Sequence, residues 1–245
     1  MPTGTTLPNL RAVLFDVDGT LIDSLAAVVI AIGDTMEAHG GNRPAELYIR
    51  SLIGVPLFEQ FRIYGAAEAD LAAMVAECID RMEALVHLET TFGPAVETLA
   101  LCRARGLRTA LVTSKTHPEV VFFLERFSGA ADVETVVCAS DVSRPKPDPE
   151  SARLACARLG VEPHEAAMIG DSVYDLRCAR EAGVKAVAVA YGAGAPEALE
   201  AENPDFLLDT PEALLAWAHT ALPNHAPQEA RSHPTDDRPD AFVRR

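Results

Sequence analysis

Two carboxylates stand one residue apart just where an apolar run stops. Ala12, Val13, Leu14 and Phe15 lead into Asp16, Val17, Asp18, Gly19 and Thr20. Like charges at this spacing repel, so the pair calls for a cation beside it. Three more polar clusters follow: Thr113–Ser114–Lys115, Lys146 between Pro145 and Pro147, and Asp171 with Asp175. Together they would offer several carboxylates, a hydroxyl and one ammonium, a set that suits phosphoryl transfer. A carboxylate can attack phosphorus and form an acyl-phosphate. Asp16 is the expected nucleophile. Asp18 is the expected proton donor to the leaving oxygen, and later the base that activates water. Mg²⁺ favours oxygen ligands, and Asp16, the main-chain carbonyl of Asp18 and Asp171 are its expected protein ligands. Asp175 is expected either to hold a metal-bound water or to orient Lys146. Lys146 and the Thr113 hydroxyl would neutralise and orient phosphoryl oxygens, with roughly 3 kcal/mol as a guide for a single donor. Gly19 would let main-chain N–H groups come close to the phosphate.

Each piece has a plainer use on its own. Asp-x-Asp-Gly also makes turns and calcium loops. Thr113–Ser114 could cap a helix starting near His117–Pro118, and Lys146 could be a solvated loop lysine. Asp171 could be a helix N-cap with Asp175 in the first turn. Their common placement favours chemistry. All four clusters follow expected strands, and open parallel sheets bind ligands beyond the carboxyl ends of their strands.

The elements that would position them read as an alternation. A buried strand is expected over residues 11–16. Residues 24–90 look all-helical, with Leu71, Val75, Cys78, Met82 and Leu85 on one face of a long helix and no expected strand. Beyond residue 93, strands at 107–114, 133–140, 166–171, 184–192 and 205–208 alternate with helices. The pattern predicts an α/β fold whose parallel sheet is covered on both faces. The expected division is a core of residues 1–22 with the nucleophile loop, a helical insertion over 23–90, the rest of the core over 91–222, and a disordered tail over 223–245. His225 and His233 fall in that tail.

Composition narrows the function classes. Apolar residues make up 49% and charged residues 23% of the 245, as in soluble globular chains. No apolar run is long enough to span a bilayer, and the stretch MPTGTTLPNLRAV lacks the character of a secretion signal. A cytoplasmic chain with no membrane partner is expected. The formal net charge of −15 argues against nucleic-acid binding. An anionic ligand would need a metal ion or a helix N-terminus to reverse the local field. Five widely spaced cysteines without a CxxC argue against disulfides or a zinc site, and read as core residues.

The four clusters resemble the motifs of the haloacid dehalogenase superfamily of phosphatases. DVDGT is similar to its first motif, LVTSK to its second, RPKPDP to its third and GDSVYD to its fourth. The likeness spans residues 11 to 220. It implies a Rossmann-like core, Mg²⁺ dependence and an aspartyl-phosphate on Asp16. Asp at position 18, two after the nucleophile, implies a phosphatase or phosphomutase rather than a dehalogenase. The helical insertion resembles the family's mobile cap. DGTLIDS together with LIGVPL is similar to phosphoglycolate phosphatases and a pyrophosphatase branch. A small phosphorylated metabolite is the implied substrate, with phosphoglycolate first and pyrophosphate or a nucleotide as alternatives. Arg50, Arg62 and His87 are the candidate contacts to its leaving group, and Gly54 would let the insertion approach the site. Ser114, where many relatives have Asn, joins Gly19, Thr113 and Lys146 as an expected phosphate contact, and Lys115 could reach the substrate. Residues 25–33 lack His, Lys and Arg, which counts against a phosphomutase. Retention of Asp16, Asp18, Lys146 and Asp171 counts against a non-catalytic phosphate-binding module. A monomer or homodimer is expected.

Overall fold

The computed structural model describes residues 6–225. The first strand, β1 (Ala12–Phe15), is followed by a two-residue strand, β2 (Ile22–Asp23), and four helices: α1 (Leu25–Ala38), α2 (Glu46–Ser51), α3 (Leu57–Ile63) and α4 (Leu71–Ala84). The chain returns through β3 (Thr90–Thr91), α5 (Gly93–Ala104), β4 (Arg108–Val112), α6 (His117–Leu124) and β5 (Thr135–Val137). It finishes with α7 (Glu150–Leu159), β6 (Ala166–Gly170), α8 (Val173–Ala182), β7 (Lys185–Val189), α9 (Pro196–Ala201), β8 (Phe206–Leu208) and α10 (Pro211–Ala221).

Six strands form one parallel sheet in the order β5-β4-β1-β6-β7-β8. Side chains on β1 alternate between two cores, as the two-residue strand period requires. Val13 and Phe15 join α5, α6 and α10 on one face, while Ala12 and Leu14 join α7, α8 and α9 on the other. Both faces are covered, so β1 is fully buried. The five cysteines are all buried and free. Trp217 of α10 lies against Phe206 of β8, with ring centroids 5.3 Å apart.

Helices α1–α4 share a third hydrophobic cluster, built on Ile32, Ile49, Phe61, Leu71, Met74 and Cys78. The helical reading of this stretch needs one correction. Thr90–Thr91 is a strand, paired antiparallel with Ile22–Asp23. Two residues are too few to show a strand period, and the pairing arises where the chain leaves and re-enters the core. No helix among the described residues is long and apolar enough to cross a membrane.

The chain is still tied to the core beyond residue 222. Arg105 donates to the carbonyls of Ala218, His219 and Leu222, which fastens the end of α10. His225 then donates its N–H to Arg105 O (2.9 Å) and Nε2 to Leu10 O (2.7 Å), so it is a structural contact and not part of a loose tail. The expectation for residues 226–245, His233 included, lies outside the described residues.

The loops after β1 and β6 meet over a glycine. Gly19 has φ +77°, and a Cβ there would lie 2.1 Å from Asp171 Oδ2. Gly40, at φ +75°, has nothing within 4 Å of its Cβ position. Gly40→Ala is expected to cost the backbone term alone, about 1–2 kcal/mol. Gly19→Ala should cost clearly more, because the methyl must also displace Asp171. Urea unfolding of the two variants checks this, and equal shifts in midpoint would refute the contact.

Candidate active site

Each polar cluster sits at or near the carboxyl end of a parallel strand. Asp16 directly follows β1, Thr113 follows β4, and Asp171 follows β6. Lys146 lies between β5 and α7, and Asp175 in the first turn of α8. Strand order puts β4, β1 and β6 side by side, so these loops converge.

Lys146 is the centre of the arrangement. Its Nζ donates to Asp16 Oδ1 at 2.8 Å, Asp175 Oδ1 at 2.7 Å and Val112 O at 3.1 Å. All three ammonium hydrogens are thereby used. The lysine is 3% exposed, Asp16 4% and both Asp171 and Asp175 0%, so these charges are held away from water. Burial would lower the Lys146 pKa, but the Asp16 and Asp175 carboxylates override it and raise it. Burial, and after it the Asp175 charge, push the Asp16 carboxyl up to about 7 despite the ammonium beside it. Asp171 is likewise raised, by burial first and then by Asp16 and Asp175.

One ammonium cannot neutralise three carboxylates. Oxygens of Asp16, Asp171 and Asp175 lie within 4.8 Å of one another. Two negative charges remain after Lys146 is counted, and every donor is a hard oxygen. The cluster therefore fits a divalent hard cation. The oxygens are not equally available. Asp175 Oδ2 accepts from Ser172 N (3.1 Å) and Ser172 Oγ (2.5 Å), while its Oδ1 is on Lys146. Both Asp175 oxygens are thus taken by protein donors, one of them Lys146. Asp171 Oδ1 accepts from Thr20 Oγ1 (3.2 Å) and Oδ2 from Ala193 N (2.7 Å), which fixes its carboxylate plane. Asp16 Oδ2 has no protein donor among the described residues. A second grouping, His117, Cys138 and Asp141, has Asp141 already within 3.4 Å of the Arg158 guanidinium.

Asp18 is held differently. Ser24 Oγ donates to its Oδ1 at 2.6 Å, and Lys115 Nζ lies 2.8 Å from its Oδ2. The pair is partly exposed, on the rim of a cleft of about 50 Å³. Asp16, Thr113 and Ser114 also line this cleft, together with Gly54, Gln60 and the apolar side chains of Val28, Ile53, Val55, Leu57 and Met82. Thr113 Oγ1 accepts from Lys115 N at 3.2 Å, which leaves its own hydrogen to donate into the cleft.

Several expectations need correction. The Gly19 N–H donates to Ile22 O at 2.8 Å, so it offers nothing to a phosphate; its lack of a side chain instead makes room for Asp171. No main-chain carbonyl among the described residues accepts from Val17 or Asp18, and these amides are the ones left for a ligand. Ser114 Oγ donates to Gly54 O at 2.5 Å and so ties the β4 loop to the helical insertion. Asp171 is not an N-cap, because Ser172 caps α8. Thr113 and Ser114 do not cap α6 either, since Thr116 and Glu119 do so reciprocally. Arg50 lies 3.8 Å from Glu46, and Arg62 is bonded to Glu59 and Glu68. His87 Nδ1 donates to Ala84 O at 3.2 Å. None of these three lines the cleft, because their local partners hold them on the outer faces of their elements. Gly54 does line it. At φ +99°, a Cβ on Gly54 would lie 2.7 Å from Ser172 Oγ, so only glycine lets this loop come so close. Ser24, Thr20 and Gln60 were missed. The first two lie within DGTLIDS itself, and their spacing from Asp18 was the available signal.

The model of the haloacid dehalogenase-like hydrolases matches residues 13–189. Pyrophosphatase PpaX of Bacillus velezensis is 34% identical over 212 residues, covering 84% of this chain and 95% of that protein. N-acetylmuramic acid 6-phosphate phosphatase of Pseudomonas aeruginosa is 34% identical over 234 residues, covering 87% and 97%. Phosphoglycolate phosphatase 1 of the same organism is 28% identical over 248 residues, covering 98% and 90%. A hydrolase from Pseudomonas syringae shares the fold, with a TM-score of 0.77, 24% identity, and 84% of this chain and 96% of that one covered. The chain belongs to the haloacid dehalogenase-like hydrolases.

Proposed function

We propose that this chain, a phosphatase of that family, hydrolyses a compact phosphorylated metabolite through an aspartyl-phosphate on Asp16. The observation that carries the reading is the unequal setting of the two neighbouring acids. Asp16 is buried, with Oδ1 fixed by Lys146 and Oδ2 without a protein donor. Asp18 stands on the cleft rim with a hydroxyl and an ammonium on its oxygens. In the first step the free Asp16 oxygen bonds to phosphorus, the bond to the leaving oxygen breaks, and Asp18 gives that oxygen its proton. In the second step Asp18 takes a proton from water as the water attacks phosphorus and releases Asp16. Thr113 and the amides of Val17 and Asp18 would hold the phosphoryl oxygens.

Mg²⁺ is the proposed cofactor. Asp16, Asp171 and the main-chain carbonyl of Asp18 would hold it, while Asp175 keeps to Lys146. When bound, it supplies positive charge to the phosphoryl group and relieves the repulsion among the carboxylates. The insertion of α1–α4, proposed as a cap, would swing about the β2–β3 pair to admit substrate and then exclude water.

Asp16→Asn should lower phosphate release from para-nitrophenyl phosphate by about 10³-fold or more, since it removes the nucleophile. Steady-state kinetics with Mg²⁺ checks this, and turnover close to that of the parent would end the covalent scheme. The pH dependence of stability gives a second test. Asp16 rises from its ordinary 3.8 to about 7 in the metal-free protein, so the native state holds that proton more tightly than the unfolded chain. Metal-free stability from this group must then fall as pH rises from about 4 to about 7. Mg²⁺ offsets that loss by binding the ionised form. The gain in Tm on replacing EDTA with Mg²⁺ should therefore widen across this window. Thermal melts from pH 5 to pH 8 would show it, and a gain independent of pH would count against metal binding by these carboxylates.

A further inference from the structure

Lys146 has no hydrogen left for a substrate, and Arg50, Arg62 and His87 do not line the cleft. One cation does: Lys115. It is mostly buried, at 13% side-chain exposure, and its Nζ lies 2.8 Å from Asp18 Oδ2. Its main chain is anchored at both ends, by Lys115 N on Thr113 Oγ1 (3.2 Å) and Ala139 N on Lys115 O (2.9 Å). Two more carboxylates face it, Glu119 from the cleft wall and Glu89, and neither is hydrogen-bonded to Nζ. Glu119 accepts from Thr116 N and Oγ1, and Glu89 pairs with Arg126. Asp18 is therefore the sole hydrogen-bond partner of Nζ among the described residues, and two ammonium hydrogens remain.

We infer that Lys115 is the receptor for a second negative group on the leaving group, and that the enzyme's substrates are compact phosphates carrying such a group beside the scissile bond. The inference rests on the hydrolytic reading above and deepens it. If Asp18 hydrogen-bonds the leaving oxygen, Nζ stands roughly 3–6 Å from that oxygen, two hydrogen-bond lengths at most. A carboxylate or second phosphoryl oxygen two or three bonds beyond the leaving oxygen falls in that range. Pyrophosphate and phosphoglycolate both place one there. Of the other residues on that side of the cleft, Val28, Met82, Ile53 and Gln60 carry no charge, and Glu119 is a carboxylate whose Oε2 accepts from Thr116.

The test compares phosphoglycolate with phenyl phosphate, whose leaving group is neutral, in the parent, Lys115→Met and Lys115→Arg. Disturbing Asp18 lowers both rates, so the readout is the ratio of their kcat/KM values. That ratio should fall by about 30-fold in Lys115→Met, as expected for loss of a charged hydrogen bond, and recover in Lys115→Arg. An unchanged ratio overturns the inference and leaves Lys115 as a positioning residue for Asp18. A parent protein inactive on both substrates with Mg²⁺ overturns the hydrolytic reading itself, a distinct result. Inhibition of the parent gives an arm that needs no folded variant. There 3-phosphonopropionate should bind at least about tenfold tighter than propylphosphonate, and equal inhibition again overturns the inference.

Discussion

Burying Asp16, Asp171 and Asp175 around the single ammonium of Lys146 governs the rest of the site. Charges taken out of water are costly unless paired, and here the pairing is incomplete. Most of the oxygens in the cluster are held by neighbouring donors. Thr20 and Ala193 hold Asp171, Ser172 holds Asp175, and Val112 takes the last lysine hydrogen. The uncompensated charge is thus concentrated on a few oxygens with fixed directions. Such a cluster suits a hard cation, and the proposed Mg²⁺ would draw an anionic ligand to a chain whose formal net charge is −15.

The same cluster explains why the surrounding glycines cannot vary freely. A Cβ on Gly192 would meet Asp171 Oδ2 at 2.3 Å, and one on Gly170 would meet the Asp175 carboxyl carbon at 2.4 Å. Together with Gly19 they strip side chains from the walls of a crowded chamber. The loops after β1 and β6 can then bring their carboxylates together. Parallel register makes this economical, because β4, β1 and β6 present their carboxyl ends at one level.

Legibility in the sequence followed the same physics. Asp16, Thr113 and Asp171 each come directly after a strand whose apolar run is visible, so their meeting was implied by a parallel sheet. Lys146 was legible only through its company. Arg50 and Arg62 were ambiguous in the sequence, because a charge on a helix carries no mark of whether it faces a substrate or a nearby glutamate. Glu46 and Glu59, one helical turn away, were in plain view. The link from Ser114 to Gly54 crosses 60 residues and depends on how the insertion sits, which no local pattern encodes. The Lys115–Asp18 pair depends likewise on loop paths between β1 and β4.

Three consecutive residues after β4 divide the work of the site. Thr113 lines the cleft with a hydrogen to donate, Ser114 grips the insertion at Gly54, and Lys115 turns to Asp18. The chain bends at Ser114, and Lys115 N turns back onto Thr113 Oγ1, so one short loop can address all three. A swing of the insertion must break or carry with it the bond between Gly54 O and Ser114, the residue between Thr113 and Lys115. The insertion itself lines the cleft with apolar groups and Gln60 and adds no charge. Shape on that side and charge on the core side are therefore supplied by separate parts of the chain, linked by the Ser114 hydroxyl on Gly54 O and the Tyr174 hydroxyl on Ser51 O.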